Sequence, residues 1–155
     1  MKPTKVLLLV FLLGVLPLAV YGIYAQILAA RELQPAIEKA LIAPYTAALI
    51  QGRYEEAYRN LTSPSFQSTY SLEDFSKAQA ETRERLGELM EIRTHRGFSA
   101  AGNLFSGRSY YQGGLIYRYT KGEVLVVWEV ARYDQSFRID AMFQDLEETL
   151  VPGIH

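Results

Sequence analysis

The chain has 155 residues, a nearly balanced charge with 16 Lys and Arg against 17 Asp and Glu, and no cysteine. This length accommodates one domain plus an appendage. The lack of cysteine excludes disulfides, thiolate metal sites and a cysteine nucleophile. The balanced charge gives no electrostatic reason to expect nucleic acid as a partner.

An uncharged, apolar stretch at residues 6–30 follows Lys2 and Lys5. At roughly 1.5 Å per residue, a helix of this length spans about 37 Å, which is enough to cross a bilayer. Tyr21 and Tyr24 fall near its outer end, where aromatic rings favour the interface. We therefore expect residues 1–30 to anchor the chain in a membrane, with the domain outside the cytoplasm, periplasmic or extracellular. A cleaved signal peptide that releases a secreted protein is the alternative.

Helical patterns fill the next part of the chain, from residue 31 to about residue 87. Apolar residues recur at helical spacing in the first of them, at Ile37, Leu41, Tyr45, Ala48 and Leu49. A short helix follows from Tyr54, and Ser63-Pro64 has the residue types of an N-cap and a first helical turn. Ser71 and Asp74 fit a capping box for a last helix, which Gly87 is expected to end.

From Leu89 the apolar period changes to two, which predicts strands. The first strand is followed by a long hairpin loop, predicted at residues 100–107. The stretch 110–143 then predicts three antiparallel strands joined by tight turns. A two-residue turn at Lys121-Gly122 would place Tyr117 opposite Val126.

A second two-residue turn, at Asp134-Gln135, would place Val130 opposite Ile139 and Trp128 opposite Ala141. Both registers put the same residues of the middle strand on one side, because side chains alternate along a strand. The predicted inner face consists of Tyr117, Tyr119, Val124, Val126, Trp128, Val130, Ile139 and Phe143. Such an apolar face must be covered, and the preceding helices can cover it.

The sequence GRYEEAYRNL at 52–61, followed by SPSF at 63–66, resembles a stretch found early in domains of the nuclear-transport-factor-2-like superfamily. The resemblance implies an α+β fold over residues 31–145, in which a curved antiparallel sheet wraps around the helices and forms a conical pocket. Residues 146–155 would be a tail. Membrane-tethered members of unknown function are most similar to this chain, and most members of the superfamily bind or assemble rather than catalyse.

The carboxylates of Glu129 and Asp140 are the weak catalytic candidates. The register set by Asp134-Gln135 would place them opposite each other, where paired carboxylates can divide acid and base work. However, the same register points them away from the face that carries Trp128. A charge cluster on the outer face, neutralised by Arg138, is the simpler interpretation, so the sequence favours a binding domain over an enzyme.

Tyrosines are the candidate ligand-binding residues. Tyr54, Tyr58, Tyr117 and Tyr119, together with Trp128, can line a pocket with apolar rings and orient a ligand through their polar atoms. Core packing is the competing interpretation. His95 alternates with charged residues and is expected to be solvated, and no metal-ligand spacing or cofactor motif is present in the sequence.

The opposite face of the predicted sheet is also apolar, at Ile116, Leu125, Val127 and Met142. A homodimer through this sheet back would bury these side chains. Cover by the N-terminal helix or by the tail is the alternative. We therefore expect the domain to act through self-association, through a membrane-protein partner or through a small apolar ligand; a pocket enzyme of the isomerase, dehydratase or hydrolase type remains the alternative.

Overall fold

The structure is a computed structural model that describes residue 21, residues 32–101 and residues 110–144. The chain divides into two compact units, Met1–Pro35 and Ala36–His155. In the first unit, the described residues are Tyr21 and residues 32–35, and all of them are helical. The fold below is therefore that of the second unit.

Near the start of the second unit, a π-helical turn at Glu38–Ile42 continues into helix α1, Ala43–Ile50. Pro44 lies in the first turn of α1 and lacks a backbone N–H, and its ring crowds the carbonyl four residues earlier. A wider turn immediately before the proline relieves that crowding. The predicted helical face is confirmed, because Ile37, Leu41, Tyr45 and the α1 residues Ala48 and Leu49 are all buried.

Three further helices follow, α2 at Tyr54–Leu61, α3 at Pro64–Thr69 and α4 at Leu72–Leu86. Both predicted N-caps are confirmed. The Ser63 hydroxyl accepts a hydrogen bond from the Phe66 amide, and the Ser71 hydroxyl accepts one from the Asp74 amide. Gly87 ends α4 with φ at 84°, a conformation that a side chain would strain.

Four antiparallel strands form one curved sheet in the order β1-β2-β3-β4. Their bounds are Leu89–Ala101 for β1, Tyr110–Tyr119 for β2, Gly122–Tyr133 for β3 and Ser136–Gln144 for β4. β1 is irregular against β2 at three points, and β4 is irregular against β3 at one. Such irregularities bend a strand and raise its twist, which curves the sheet. The predicted loop begins later than expected, since Ala100 and Ala101 still belong to β1.

The register of the first hairpin differs from the prediction by two residues. The turn lies at Thr120-Lys121, so Tyr119 pairs with Gly122 and Tyr117 pairs with Val124. A shift of two residues changes every partner but leaves every side chain on its face. The predicted inner face of β2 and β3 is therefore preserved: Tyr117, Tyr119, Val124, Val126, Trp128 and Val130 are all buried.

The second hairpin begins in the predicted register, with Arg132 opposite Phe137 and Val130 opposite Ile139. The next pair is Glu129 with Ala141, so Asp140 is an extra residue in β4. A one-residue bulge moves every later side chain to the other face.

The bulge corrects two face assignments. Met142, predicted on the sheet back, lies on the inner face, where its Sδ accepts a hydrogen bond from the Tyr45 hydroxyl at 3.7 Å. Phe143, predicted on the inner face, pairs with Val127 and is 53% exposed.

The helices cover the inner face of the sheet, and Trp128 lies fully buried between the two layers. Its indole packs edge-on against Tyr45 of α1, with ring centroids 5.0 Å apart at 81°. The predicted α+β class, with helices followed by a curved antiparallel sheet, is thus confirmed. Within the described residues, no helix has the length and hydropathy that a membrane crossing requires. The predicted anchor at 6–30, apart from Tyr21, and the predicted tail at 146–155 lie outside the described residues.

Candidate functional site

A cavity of about 360 Å³ lies between α4 and the inner face of the sheet. Its volume falls within the range typical of small-molecule sites. One wall comes from α3, from Tyr70 in the connection that follows it and from α4: Phe66, Tyr70, Asp74, Phe75, Ala78, Gln79 and Thr82. The other wall comes from β2, β3 and β4: Tyr117, Tyr119, Val124, Val126, Met142 and Gln144.

Tyr117 is the deepest of the predicted site residues in this wall, with 4% of its surface exposed. Its hydroxyl accepts a hydrogen bond from Trp128 Nε1 at 2.8 Å. Burial, the nearby Tyr45 and Tyr119 hydroxyls and a hydrogen bond with Tyr45 raise its pKa well above the usual range, against the lowering effect of the Trp128 bond. Tyr117 therefore stays neutral at physiological pH and presents its ring to the cavity.

Tyr45 forms a side-chain hydrogen bond with Tyr117 and is fully buried. Burial raises its pKa above the usual range, and the proximity of Tyr119 adds to that effect. Its hydroxyl donates to Met142 Sδ, so this hydroxyl is engaged in packing the two layers together. The Trp128, Tyr117 and Tyr45 side chains thus form one satisfied polar chain within the core, with no buried side-chain donor or acceptor in the described residues left unpaired.

Tyr119 also lines the cavity, and it lies close to Tyr54. Burial, and secondarily the proximity of Tyr54, raises the pKa of Tyr119 to about 12. Tyr54 itself does not line the large cavity. It lies with Tyr119, Arg83 and Glu88 in a separate cleft of about 20 Å³, which is too small for an organic ligand.

The other two predicted binding residues lie outside the cavity wall. The Tyr58 hydroxyl donates to the backbone carbonyls of Tyr70 at 2.6 Å and Gln67 at 3.2 Å, which fixes α2 against α3. Trp128 is enclosed completely and its one donor is used by Tyr117. The structure therefore brings Tyr117 and Tyr119 to the cavity and uses Tyr58 and Trp128 to support its walls.

The predicted pairing of Glu129 with Asp140 is wrong, because Asp140 is the bulged residue and Glu129 pairs with Ala141. The Asp140 Oδ1 atom instead accepts hydrogen bonds from the Ser63 hydroxyl at 2.5 Å and from the Tyr133 hydroxyl at 3.1 Å. Arg138, expected to neutralise the pair, donates to the Thr62 carbonyl at 3.3 Å. Asp140 thus joins the α2–α3 junction to β4, and neither it nor Glu129 is among the described residues that line the cavity.

Sequence reasoning missed the part of the wall that comes from α3 and α4. Asp74 was assigned with Ser71 to a capping box, and its Oδ2 atom accepts a hydrogen bond from the Ser71 hydroxyl at 2.6 Å. The same residue also lines the cavity. The one available signal was spacing, since Asp74 and Phe75 lie four and three residues before Ala78, and Thr82 lies four residues after it, so these residues share a helix face. Met142 and Gln144 could not be found in this way, because the bulge reverses their orientation.

The residues predicted to form a dimer through the sheet back are largely enclosed in a single chain. Ile116 and Leu125 are 8% and 7% exposed, and Val127 is half-buried. Met142 faces inward, as described above. Phe143, which is exposed, lies on the sheet back instead of Met142.

His95 is exposed, as expected. In the described part of the chain, no group of histidine and acidic side chains could hold a metal ion. No protein-family model matches the sequence, and no curated protein matches it.

Proposed function

We propose that this chain is a membrane-tethered domain, exposed outside the cytoplasm, that binds a small apolar ligand between α4 and the inner face of its sheet. The observation that carries the proposal is the cavity of about 360 Å³ with walls of phenylalanine, tyrosine, valine and methionine side chains. Pockets that bind small molecules are mainly apolar and carry a few polar groups that orient the ligand.

The side chains of the wall suit a mainly apolar ligand that carries a few polar groups. Phe66, Phe75 and Val126 supply apolar surface, while Gln79 and Gln144 supply amide groups. Burying apolar ligand surface contributes roughly 25 cal/mol per Å², and the free energy cost of the ligand's lost motional freedom is subtracted from that gain.

Binding is preferred to catalysis because of where the carboxylates lie. Glu129 and Asp140, on which the enzyme alternative depends, do not line the cavity. Asp140 is engaged by Ser63 and Tyr133 in holding the fold together. Asp74 does line the cavity, but it is exposed to solvent, and its carboxylate accepts a hydrogen bond from Ser71, the N-cap of α4.

The proposal of a membrane tether is based on the sequence, namely on the uncharged residues 6–30 and the lysines that precede them. The fold of the domain is compatible with the proposed nuclear-transport-factor-2-like relationship, since a curved sheet with helices on its inner face is what that resemblance implies. A membrane-protein partner would then contact the domain on the same side of the membrane as the ligand.

The test is the binding of a neutral, environment-sensitive apolar probe, N-phenyl-1-naphthylamine, to the full-length chain in nanodiscs. Ala78→Trp fills the cavity from α4 at an exposed position and should weaken probe binding at least tenfold. Ala80→Trp on the same helix is the matched control, because Ala80 is also exposed but does not line the cavity.

Empty nanodiscs of the same lipid give the background fluorescence of the probe. Saturable binding that Ala78→Trp removes and Ala80→Trp preserves supports the proposal. Binding that is equal in the two variants, or no binding above the empty discs, contradicts it.

A further inference from the structure

The cavity contains one formal charge among the described residues of its wall, and that charge is negative. The carboxylate belongs to Asp74, while Lys, Arg and His are missing from the described lining. An anionic ligand would meet repulsion there with no compensating cation. Among ligands of equal apolar area, the negative charge of the wall therefore favours a cation over an anion.

The Asp74 carboxylate is available to a ligand. Its Oδ2 atom accepts from the Ser71 hydroxyl, and no hydrogen bond to a described residue reaches its other oxygen. Lys77, the nearest cation along α4, is directed to Glu81, at 3.9 Å. Asp74 thus faces the cavity with a free acceptor and without an ion-pair partner in the described chain.

The wall that carries Asp74 also carries three aromatic rings, those of Phe66, Tyr70 and Phe75. The centroid of Phe66 lies 5.1 Å from that of Tyr70 and 6.2 Å from that of Phe75. The rings meet at 42° and 81°, so they form adjacent walls rather than a flat stack. Aromatic faces attract cations through the ring quadrupole, and several rings with a carboxylate are the environment that recognises quaternary ammonium groups.

We propose that the ligand of this cavity is an apolar organic cation, an amine or quaternary ammonium compound whose charged end lies by Asp74 and whose apolar end lies along Val124 and Val126. This inference rests on the proposed binding function and specifies the class of its ligand. Tyr70 would contribute the exposed ring of the cation site, since 46% of its surface is accessible.

The experiment measures displacement of N-phenyl-1-naphthylamine from the full-length chain by two competitors of the same shape. Benzyltrimethylammonium is the cation, and neopentylbenzene is its neutral carbon isostere. We expect the cation to compete about tenfold better, in line with one screened charge pair and one or two ring contacts. Benzenesulfonate, an anion of similar size, should not compete.

Two substitutions test the residues. Asp74→Asn keeps the side-chain acceptor for Ser71 but removes the charge, and it should weaken the cation about fivefold to tenfold while the neutral probe changes less than about twofold. Glu73→Gln, at an exposed neighbouring position outside the described lining, is the matched control. Tyr70→Leu should weaken the cation, and Tyr70→Phe should preserve its affinity because the ring remains.

The outcomes separate this inference from the binding function. A probe that binds and is lost in Ala78→Trp, with equal competition by the cation and its neutral isostere, overturns the inference and leaves the binding function intact. An unchanged cation affinity in Asp74→Asn also overturns it. A probe that does not bind at all overturns both.

Discussion

The Ser63 hydroxyl donates a hydrogen bond to Asp140 Oδ1 at 2.5 Å, and so joins the first turn of α3 to the bulge in β4, 77 positions along the chain. The Ser63 backbone amide bonds the Ile139 carbonyl at 2.8 Å in the same place. Together these bonds occupy the edge of β4, and they hold α3, with Phe66 and Tyr70, against the strand that carries Met142. Phe66, Tyr70 and Met142 all line the cavity, so the junction joins two of its walls.

Ser63→Ala should destabilise the fold by about 1–3 kcal/mol, because it removes an N-cap and leaves the half-buried Asp140 with one fewer donor. Ser65→Ala, at an exposed position in the same helix, should change stability by less than about 0.5 kcal/mol. Urea unfolding of the full-length chain measures both. Equal stabilities of the two variants would show that the junction does not hold the fold.

Met142→Ala and Phe143→Ala test the consequence of the bulge. Met142 lines the cavity and contacts Tyr45, so its truncation should cost about 1–2 kcal/mol and alter probe affinity. Phe143 is exposed on the other face, so its truncation should cost less than about 0.5 kcal/mol and leave the probe unaffected. Thermal unfolding and probe titration provide the comparison. A larger loss of stability in Phe143→Ala than in Met142→Ala would indicate that β4 has no bulge at Asp140.

Gly113→Ala should destabilise the sheet, because the added Cβ would lie 2.8 Å from the ring of the buried Phe98. Such overpacking costs about 1–3 kcal/mol. At the neighbouring Gly114 the nearest atom would be Arg96 Cβ at 3.4 Å, which is close to ordinary contact, so Gly114→Ala is the control. Adding Phe98→Leu to Gly113→Ala should recover part of the loss. Additive destabilisation in the double variant would argue against a direct contact.

Stability should fall as the pH rises from 10 to 12. Tyr119 has a folded-state pKa of about 12 and an unfolded value near 10, so in this window the unfolded state loses a proton that the folded state keeps. The free energy of unfolding then decreases by about 1.4 kcal/mol per pH unit from Tyr119 alone. The raised pKa values of Tyr45 and Tyr117 act in the same direction.

Urea unfolding between pH 10 and pH 12 measures this dependence. Tyr119→Phe should make it shallower, because one of the late-ionising groups is gone. Tyr110→Phe is the control at a half-buried tyrosine on the same strand. Parallel pH profiles for the wild-type chain and Tyr119→Phe would exclude Tyr119 as a source of the slope.

Local patterns in the sequence predicted the elements well because each of them depends on neighbours in the chain. The caps at Ser63 and Ser71 and the stop at Gly87 follow from hydrogen bonds and backbone angles within a few residues. The alternation that places Trp128 and Val130 on the inner face is equally local, and it survived a two-residue error in the first hairpin.

By itself the sequence determined the α+β class, the caps of its helices and the inner face of β2 and β3. Tertiary structure decided where α4 lies over that face, and so which of its residues, Asp74 among them, enter the cavity. It also decided the bulge at Asp140, whose carboxylate accepts a hydrogen bond from Ser63, a residue far away in the chain. Long-range hydrogen bonds of this kind leave no periodic trace in a sequence, which is why Met142 and Phe143 were assigned to each other's face.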